Sequence, residues 1–555
     1  MTHIATPTHL QYLSPTPRTM RILRRPESSH VSHRDSSIWT GILLGLLLAS
    51  SSAAWPLAGQ TPAEVARAFR EANEAAILQD FNELLSYPNV ASDLEGIRRN
   101  ANYIVGELEA VGIDAELLEV RDAPPIVYGE LLVPGATRTL GIYVHYDGQP
   151  ADPANWTHSP WDPTLYSASM EAGGEPIPVP AVGEAVDPEW RLYARSAGDD
   201  KAPIAAIVPV LEAFQAEGIT PTSNLIFFFD GEEEAGSPNL REYIETYRDR
   251  LDDIDVWLFF DGPAHQSGRP QLTFGVRGVF GMEVTVYGAT RNLHSGHYGN
   301  WAPDTPLVLA ELLSSMKDPY TGEVRIPGWY DSVDPLGEEE RAALEALPPV
   351  DEQLKREMGL DWTEGAPTTL PERLLVPALT IRGLSAGNTG ALARNVIPNT
   401  ATAALGIRLV KGNDPAAMRK LVEDHIRAQG FHIVREDPDL ETRLQYGKIA
   451  KVTGGGGYPA ARASMSDPYV QQVMAAAGAA ADDAFGEGAL VLTPGLGGSL
   501  PLYLFTDLLE KPFVNVPVAN HDNNQHAPDE NLRIANLWYA IELYAQLLTM
   551  PGGVS

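Results

Sequence analysis

Three apolar runs in the first half of the chain each end in a short polar segment that carries acidic side chains. The runs cover residues 139–145, 225–229 and 255–260, and none of them alternates apolar with polar positions. A run without alternation is typical of a strand covered on both faces, as in a parallel sheet between layers of helices. The pattern therefore predicts an α/β domain.

Segments with the periodicity of amphipathic helices separate and flank these runs. The spacing of apolar residues, together with Pro, Gly and acidic boundary residues, predicts helices over 62–85, 97–111, 204–214, 239–251 and 532–548. Further strands are predicted over 115–120, 126–132 and 512–518.

From about residue 275 the pattern changes. Strands over 280–287, 378–381 and 401–410 accompany helices over 306–316 and 415–429, an order that predicts a second, smaller α/β sandwich. Residues 317–375 are rich in Pro, Glu and Trp and are expected to form a surface excursion. We therefore divide the chain into a leader (1–58), a catalytic domain in two parts (59–276 and 457–555) and an insert (277–456).

Composition narrows the choice of partners and chemistry. The 555-residue chain has 73 acidic and 40 basic residues, so its net charge of −33 argues against binding nucleic acid or an anionic membrane surface. It contains no cysteine, which excludes disulfides, a thiol nucleophile and cysteine-bound zinc. Any metal must be held by His, Asp and Glu.

The leader has the basic, apolar and small-residue order of a secretory signal. Arginines precede an apolar run over 38–49, and SSSAA follows at 50–54. We expect a signal over about residues 20–58, cleavage after Ala53 or Ala58, and an exported, periplasmic protein. An uncleaved membrane anchor is the alternative, although the apolar run is short for a span.

The polar segments gather candidate metal ligands. His145 ends a predicted strand, Asp147, the triple glutamate 232–234 and Asp261 follow predicted strands, and Asp199 follows a short apolar segment at 190–194. In an open α/β sheet, ligands bind at the carboxyl ends of the strands. Three acids and a histidine that meet at one edge repel one another unless a divalent cation lies between them.

Each motif has a plainer explanation when it is taken alone. The triple glutamate is compatible with a solvated turn, the His-x-Asp pair is common, and Asp199-Asp200 ahead of a helix is compatible with an N-cap. Their recurrence at successive strand ends favours the metal site.

Taken together and in order, the motifs identify a likeness. HYDGQP at 145–150, DDK at 199–201, EEEAGS at 232–237, the aspartate at 261, LHSG at 293–296 and HAPDEN at 526–531 resemble those of the cocatalytic di-zinc peptidases. That family includes carnosine and non-specific dipeptidases, aminoacylases, carboxypeptidase G and succinyl-diaminopimelate desuccinylase. The resemblance covers about residues 61–549 and is strongest to the dipeptidase branch. It implies a mixed sheet flanked by helices, with an inserted lid and dimerisation domain.

The resemblance implies two divalent metal ions per chain, which carboxylate and imidazole ligands suit as Zn²⁺, Mn²⁺ or Co²⁺. It makes Asp199 the ligand shared by both ions, Asp147 a supporting carboxylate and Glu233 the general base. One ion would be held by His145, Asp199 and Asp261, the other by Asp199, Glu234 and His526. His521 is a competing candidate for the last ligand.

The resemblance also implies residues that contact the substrate. His294 would stabilise the oxyanion in the site of a partner subunit, Arg408 would hold a substrate carboxylate, and Asn395 and Ser499 would add further contacts. Three of these residues have a plainer role when taken alone: His294 as an exposed loop histidine, Arg408 as a surface strand arginine and Ser499 as a turn residue.

Several positions depart from the family pattern. Ala194, Ser196 and Ala202 stand where the family has glycine around its Gly-Arg-Gly and Asp-Asp-Lys motifs, and Asn395 replaces a threonine of the dipeptidase branch. These departures lie beside the shared ligand and a substrate contact, so they bear on substrate choice more than on metal binding.

The expected function is that of an exported, homodimeric, metal-dependent dipeptidase acting on small substrates with a free carboxylate. Deacylation of N-acyl amino acids and carboxypeptidase action on short peptides are alternatives. A periplasmic protein that binds peptide or metal without turnover is the non-enzymatic alternative.

Overall fold

The computed structural model describes residues 60–552. The predicted leader, residues 1–58, lies outside these residues. Within residues 60–552, no helix combines the length and the apolar composition needed to cross a membrane.

The described part of the chain forms strands throughout its length. In chain order they are β1 Asp114–Leu118, β2 Ile126–Leu131, β3 Thr139–His145, β4 Thr164–Tyr166, β5 Pro176–Ile177, β6 Arg191–Tyr193, β7 Asn224–Asp230, β8 Val256–Phe259, β9 Gln271–Thr273, β10 Gly275–Val276, β11 Gly278–Tyr287, β12 Leu293–His294, β13 Ala378–Ser385, β14 Val396–Ile397, β15 Thr400–Leu409, β16 His432–Val434, β17 Ile449–Tyr458, β18 Ala461–Arg462, β19 Val491–Thr493, β20 Phe513–Asn515 and β21 Asn531–Arg533.

Helices connect and cover these strands. They are α1 Pro62–Ser86, α2 Leu94–Ala110, α3 Lys201–Glu217, α4 Leu240–Thr246, α5 Arg248–Leu251, α6 Ser295–Tyr298, α7 Thr305–Met316, α8 Glu338–Glu345, α9 Asp351–Glu357, α10 Leu370–Leu374, α11 Pro415–Ala428, α12 Leu440–Gln445, α13 Pro468–Phe485 and α14 Ile534–Leu548.

The larger sheet is mixed and has eight strands in the order β1-β2-β7-β3-β8-β20-β9-β19. Its central strands β7, β3, β8 and β20 are parallel, whereas β1 and β2 join it antiparallel. Helices α1, α3 and α14 pack on one another over one face. The predicted α/β architecture with a mixed sheet flanked by helices is confirmed.

The unbroken apolar strands follow from this two-sided burial. Along β7, Phe227 and Phe229 face the core beneath α1, α3 and α14, while Phe228 faces a second core that includes residues of α4. Because successive side chains of a strand point to opposite faces, a strand buried on both faces has no polar position to alternate with. Because β3 pairs in parallel with both β7 and β8, the carboxyl ends of these three strands lie at the same edge of the sheet.

The insert forms a separate five-stranded sheet with its own apolar core. The strand order is β13-β15-β11-β17-β16, and helices α7 and α11 pack against it. Long antiparallel pairing joins β11 to β15 and β17. This is the smaller α/β sandwich that the sequence predicts; the domain boundaries themselves stay a prediction.

The structure corrects several predicted elements. The helix predicted over 239–251 is two helices, α4 and α5. The last helix, α14, begins at Ile534, since Asn531–Arg533 pairs with β6 as strand β21. Residues 317–375, expected to form a surface excursion, contain the short helices α8, α9 and α10, where no helices were predicted.

Helix α11 is held to the second sheet by a carboxylate that three arginines share. Glu423, which is 6% exposed, accepts hydrogen bonds from Arg419, Arg427 and Arg435. Burial opposes its ionisation, but the hydrogen bonds from Arg435 and Arg419 outweigh burial and lower the pKa of Glu423 to about 2. A pKa below that of the unfolded chain stabilises the fold above the unfolded value, and this stabilisation is lost as the pH falls through the folded value.

We expect Glu423→Gln to lower the free energy of unfolding by about 1 kcal/mol at pH 7, a value reduced because the arginines are partly solvated. The difference from wild type should shrink as the pH falls from about 4.5 to about 2. Thermal unfolding followed by circular dichroism over this range measures it. Asp424→Asn removes an exposed carboxylate on the same helix and should change little; a Glu423→Gln effect independent of pH would contradict the assignment.

Candidate active site

The strand-end side chains meet because the strands that carry them are neighbours. His145, the last residue of β3, lies in register with Asp230, the last residue of β7, and β8 pairs with β3 on its other side. Asp261 follows β8 after one residue. Asp199 comes from the loop before α3, and its peptide bond to Asp200 is cis.

Two groups of potential ligands share one residue. In the first, His145, Asp199 and Asp261 place one nitrogen or oxygen atom each within 4.8 Å of one another. In the second, Asp199, Glu234 and His526 do the same. His145 Nε2 lies 2.9 Å from Asp199 Oδ1, and His526 Nε2 lies 3.2 Å from both Asp199 Oδ2 and Glu234 Oε2. Asp199 thus contacts both groups with different oxygen atoms.

The electrostatics of these residues fit a pair of divalent cations. Burial, and then the charge of Asp199, raise the pKa of Asp261 to about 7. Hydrogen bonds to Asp199 and Glu234 raise the pKa of His526 to about 10. Among the described residues, Glu234 Oε1 is buried without a hydrogen-bond donor. Nitrogen and carboxylate oxygen donors suit zinc, manganese or cobalt, so the residues present fit the implied metals.

Asp147 organises the site from behind. Its carboxylate lies 3.4 Å from His145 Nδ1, which leaves Nε2 of that ring facing Asp199. The same carboxylate accepts the backbone N–H groups of Glu233 and Glu234, each at 3.0 Å. One buried aspartate therefore orients the imidazole and fixes the turn that carries two glutamates, as a supporting carboxylate beside a metal site does.

Glu233 and Glu234 are adjacent but differently placed. Both lie in a short 3₁₀ turn, Glu233–Ala235, and only Glu234 belongs to a ligand group. Glu233 instead lines a cavity beside Asp199 and Asp261, where burial raises its pKa well above the usual range.

The structure accommodates the departures around Asp199. Ser196 adopts the left-handed conformation, with φ of 65°, that glycine tolerates most easily. Its hydroxyl accepts a 2.8 Å hydrogen bond from Asn89 Nδ2 and lies 3.4 Å from the carbonyl oxygen of Asp147. Hydrogen bonds to distant segments thus hold Ser196 in a conformation that glycine adopts more easily. Ala202 is fully buried. Asp200 precedes α3 without a capping hydrogen bond from its side chain, so N-capping does not account for the aspartate pair.

The cavity has a volume of about 340 Å³ and is lined by both charged and apolar residues. Asp199, Glu233 and Asp261 are acidic lining residues, and Pro263, Leu496 and Leu500 are apolar ones. Ser499 also lines the cavity.

Ser499 is connected to the insert by two hydrogen bonds. Arg408, on β15, donates a hydrogen bond to the Ser499 hydroxyl. The hydroxyl of Tyr458, at the end of β17, donates to the Ser499 carbonyl oxygen over 2.8 Å. The structure therefore brings the predicted residues Arg408 and Ser499 together beside the cavity.

The remaining predicted residues lie elsewhere. His294 and Asn395 are exposed on paired segments of the insert, and neither is among the described residues that line the cavity. The ring of His294 lies 4.5 Å from that of His297. His521 and His526 are both exposed, but only His526 belongs to a ligand group. The roles of these residues stay predictions.

Sequence reasoning missed two glutamines that touch the ligands. Gln149 Nε2 donates to Glu234 Oε2, and Gln525 Nε2 donates to Asp199 Oδ2, each over 2.8 Å. Gln149 lies four residues after His145 in HYDGQP, and Gln525 directly precedes His526, so their closeness to ligands in the sequence was the available signal.

Comparisons with known proteins agree with this geometry. The family model described as "Peptidase family M20/M25/M40" matches residues 141–550. The Cys-Gly metallodipeptidase dug1 of Schizosaccharomyces pombe is 26% identical over 497 residues, covering 85% of this chain and 94% of the relative. The human Beta-Ala-His dipeptidase is 26% identical over 439 residues, covering 76% of this chain and 75% of the relative.

Among solved structures, a metallo-carboxypeptidase from Sulfolobus solfataricus is similar with a TM-score of 0.67. It is 27% identical, and the match covers 85% of this chain and 98% of that one. The resemblance drawn from the motifs, including its dipeptidase branch, is confirmed.

We expect the protein to bind two zinc ions per chain and Asp199→Asn to weaken both sites, because Asp199 belongs to both groups. The loss should exceed the roughly 10- to 100-fold that changes to supporting residues cost. Glu234→Gln should weaken one site only. Metal content after dialysis against limiting free zinc measures this. Asp522→Asn alters a nearby carboxylate that pairs with Arg191 and should keep both ions; equal zinc retention in all variants would contradict the assignment.

Proposed function

The chain belongs to peptidase family M20/M25/M40 and is a metallopeptidase, and we propose that it is an exported dipeptidase acting on small substrates with a free carboxylate. The proposal rests on one cavity. It is lined by Asp199, which both ligand groups share, by Glu233, which belongs to neither group, and by Ser499, which accepts a hydrogen bond from Arg408. Its volume of about 340 Å³ lies at the small end of ligand pockets, which suits a substrate of two residues.

His145, Asp199 and Asp261 would hold one divalent ion, and Asp199, Glu234 and His526 the other. When bound, such a pair of zinc, manganese or cobalt ions polarises the scissile carbonyl and lowers the pKa of water. The orientation that Asp147 gives to His145 and to the 233–234 turn keeps the ligands aimed at these positions.

Glu233 is the proposed general base. It lines the cavity beside Asp199 and Asp261 without belonging to a ligand group, so its carboxylate is free to accept a proton from the attacking water. The same group then delivers that proton to the amine that leaves as the amide bond breaks.

Arg408 and Ser499 are proposed to bind the substrate carboxylate. A guanidinium matches a carboxylate with two parallel hydrogen bonds, which would select substrates with a free C-terminus. The apolar lining residues Pro263, Leu496 and Leu500 would then contact the rest of the substrate. Asn395 is proposed as a further contact that a partner subunit would provide, since it is exposed beside His294.

We propose that the enzyme is a homodimer in which His294 donates a hydrogen bond to the oxyanion formed in the other subunit's site. The support is that His294 is exposed on the insert and does not line the described cavity of its own chain. Export to the periplasm is proposed from the basic, apolar and small-residue order of residues 20–58.

The dipeptidase relatives and the metallo-carboxypeptidase neighbour make carboxypeptidase action on short peptides the second candidate. Deacylation of N-acyl amino acids would need the same carboxylate contact. In that reaction an acyl group, rather than an amino-acid residue, would contact the apolar lining residues of the cavity. Membership of a metallopeptidase family removes the non-enzymatic alternative.

With zinc restored, we expect the chain from about residue 59 to cleave dipeptides faster than tripeptides or N-acyl amino acids. The same dipeptides with an amidated C-terminus should lose roughly 10- to 100-fold in kcat/KM, the cost of removing charged hydrogen bonds to Arg408. Amine release measures both effects. Equal rates on acid and amide would exclude carboxylate recognition, and cleavage confined to acyl amino acids would identify a deacylase.

Glu233→Gln should lower kcat by about 10²–10⁴-fold, because the amide cannot accept the proton, while both metals stay bound. Glu232→Gln is the matched control, since its carboxylate accepts hydrogen bonds from Asn239 outside the cavity. Full activity of Glu233→Gln would exclude its role as the base.

Co-expression of Glu233→Gln with His294→Ala should restore activity that neither variant has alone. Half of randomly mixed dimers pair the two variants, and each such dimer has one site with both groups, so about a quarter of wild-type activity is expected. Activity no higher than the sum of the two variants would contradict the shared site.

A further inference from the structure

Glu530 is a completely buried glutamate for which the motifs suggested no function. It follows the ligand His526 by four residues in the HAPDEN segment. Its Oε1 accepts the backbone N–H groups of Gly198, at 3.1 Å, and of Asp199, at 2.9 Å. Its Oε2 accepts the N–H of Ser196, at 3.1 Å, and Nη1 of Arg195, at 2.6 Å. All four donors belong to the loop that ends in the shared ligand.

Backbone pairing reinforces this connection. The N–H of Ala194 donates to the carbonyl oxygen of Glu530 over 3.1 Å, and the next residues of both segments pair as β6 and β21. Arg195 returns a contact of its own, because Nη2 lies 3.4 Å from the carbonyl oxygen of Ala527, next to His526. The two ligand loops are thus joined in both directions.

The loop that carries His526 has little freedom to adjust. Asn524, His526 and Asp529 all adopt left-handed backbone conformations, with φ of 58° or 59°, although none is glycine. Asp529 is held further by Thr157, whose N–H and hydroxyl each donate to its carboxylate over 2.8 Å. Only three residues separate Glu530 from His526, so a displacement of Glu530 is expected to alter the position of His526.

We propose that Glu530 is a positioning residue that sets the distance between Asp199 and His526 and thereby completes the second ligand group. This inference rests on the metal centre of the proposed function. The first group depends on Glu530 through Asp199 alone, because His145 and Asp261 come from β3 and the end of β8. The second group depends on it through both Asp199 and His526, so it is the more sensitive to a change at Glu530.

Glutamine is a discriminating replacement at this position. It keeps the size of the side chain, but its NH₂ group is a donor, whereas all four neighbouring groups already donate hydrogen bonds. One carboxylate oxygen is thus replaced by a group that cannot accept from the loop. The substitution also leaves Arg195 without its carboxylate partner in the interior.

Zinc titration against a competing chelator tests the proposal without using turnover. Wild type is expected to take up two equivalents. Glu530→Gln should bind the first with a smaller loss of affinity and the second about 10- to 100-fold more weakly, the range for groups that support metal ligands. Its isotherm should resemble that of His526→Ala and not that of His145→Ala.

Glu542→Gln is the matched control for a merely structural loss. Glu542 is 6% exposed and pairs with Arg67 and Arg70 at the contact of α1 with α14. Its replacement therefore also removes a buried carboxylate on which arginines depend. It should lower the melting temperature yet keep both zinc equivalents. The proposal is overturned if Glu530→Gln binds both ions as wild type does, or if Glu542→Gln loses the second ion equally.

A conservative variant covers the case in which Glu530→Gln does not fold. Glu530→Asp keeps two acceptor oxygens on a shorter side chain and should weaken the second zinc site alone; two unchanged sites in Glu530→Asp would then overturn the proposal. Zinc uptake is independent of the substrate. A wild type that binds two ions without cleaving dipeptides would therefore contradict the proposed function and leave the Glu530 result intact.

Discussion

Repulsion among carboxylates at one edge of the central sheet is the constraint on which the catalytic half of this protein depends. Asp199, Glu234 and Asp261 place oxygen atoms within a few ångströms of each other or of a shared neighbour, mostly away from water. Buried like charges are tolerated only where partners compensate them. The protein supplies imidazoles directly, and it surrounds the supporting carboxylates of Asp147 and Glu530 with backbone N–H groups. The remaining negative charge is what makes the edge a cation site.

Strands β3, β7 and β8 of the main sheet could be predicted from the sequence, because burial on both faces gives each of them an unbroken apolar run. Strands covered on both faces, such as β7 with Phe227, Phe228 and Phe229, contain no polar position between their end residues, so their extent is visible as an apolar run. The ligands follow those ends, and their order identified the family. Where burial is one-sided or brief, as in β4, β5 and β21, strands of two or three residues leave no comparable pattern.

Contacts that join distant segments were not accessible in the same way. Glu530 lies 331 residues from Asp199, and Asn89 lies 107 residues from Ser196, yet each pair shares a hydrogen bond. The neighbouring residues in the sequence do not show whether a glutamate or asparagine hydrogen-bonds to a distant segment or faces solvent. Only the fold shows which donors surround it. The contact between the insert and the cavity shares this difficulty, since Arg408 meets Ser499 across 91 residues of chain.

The position of β20 in the sheet has a consequence for biosynthesis. This strand begins at Phe513 but lies between β8 and β9, which end before residue 274. A nascent chain that has not yet reached β20 therefore lacks an interior strand of its main sheet, and it also lacks His526 and Glu530. Such a chain cannot close its central layer or complete its second ligand group. The central layer and the second ligand group are therefore completed only by residues 513–530, although most of the sheet is encoded before residue 274.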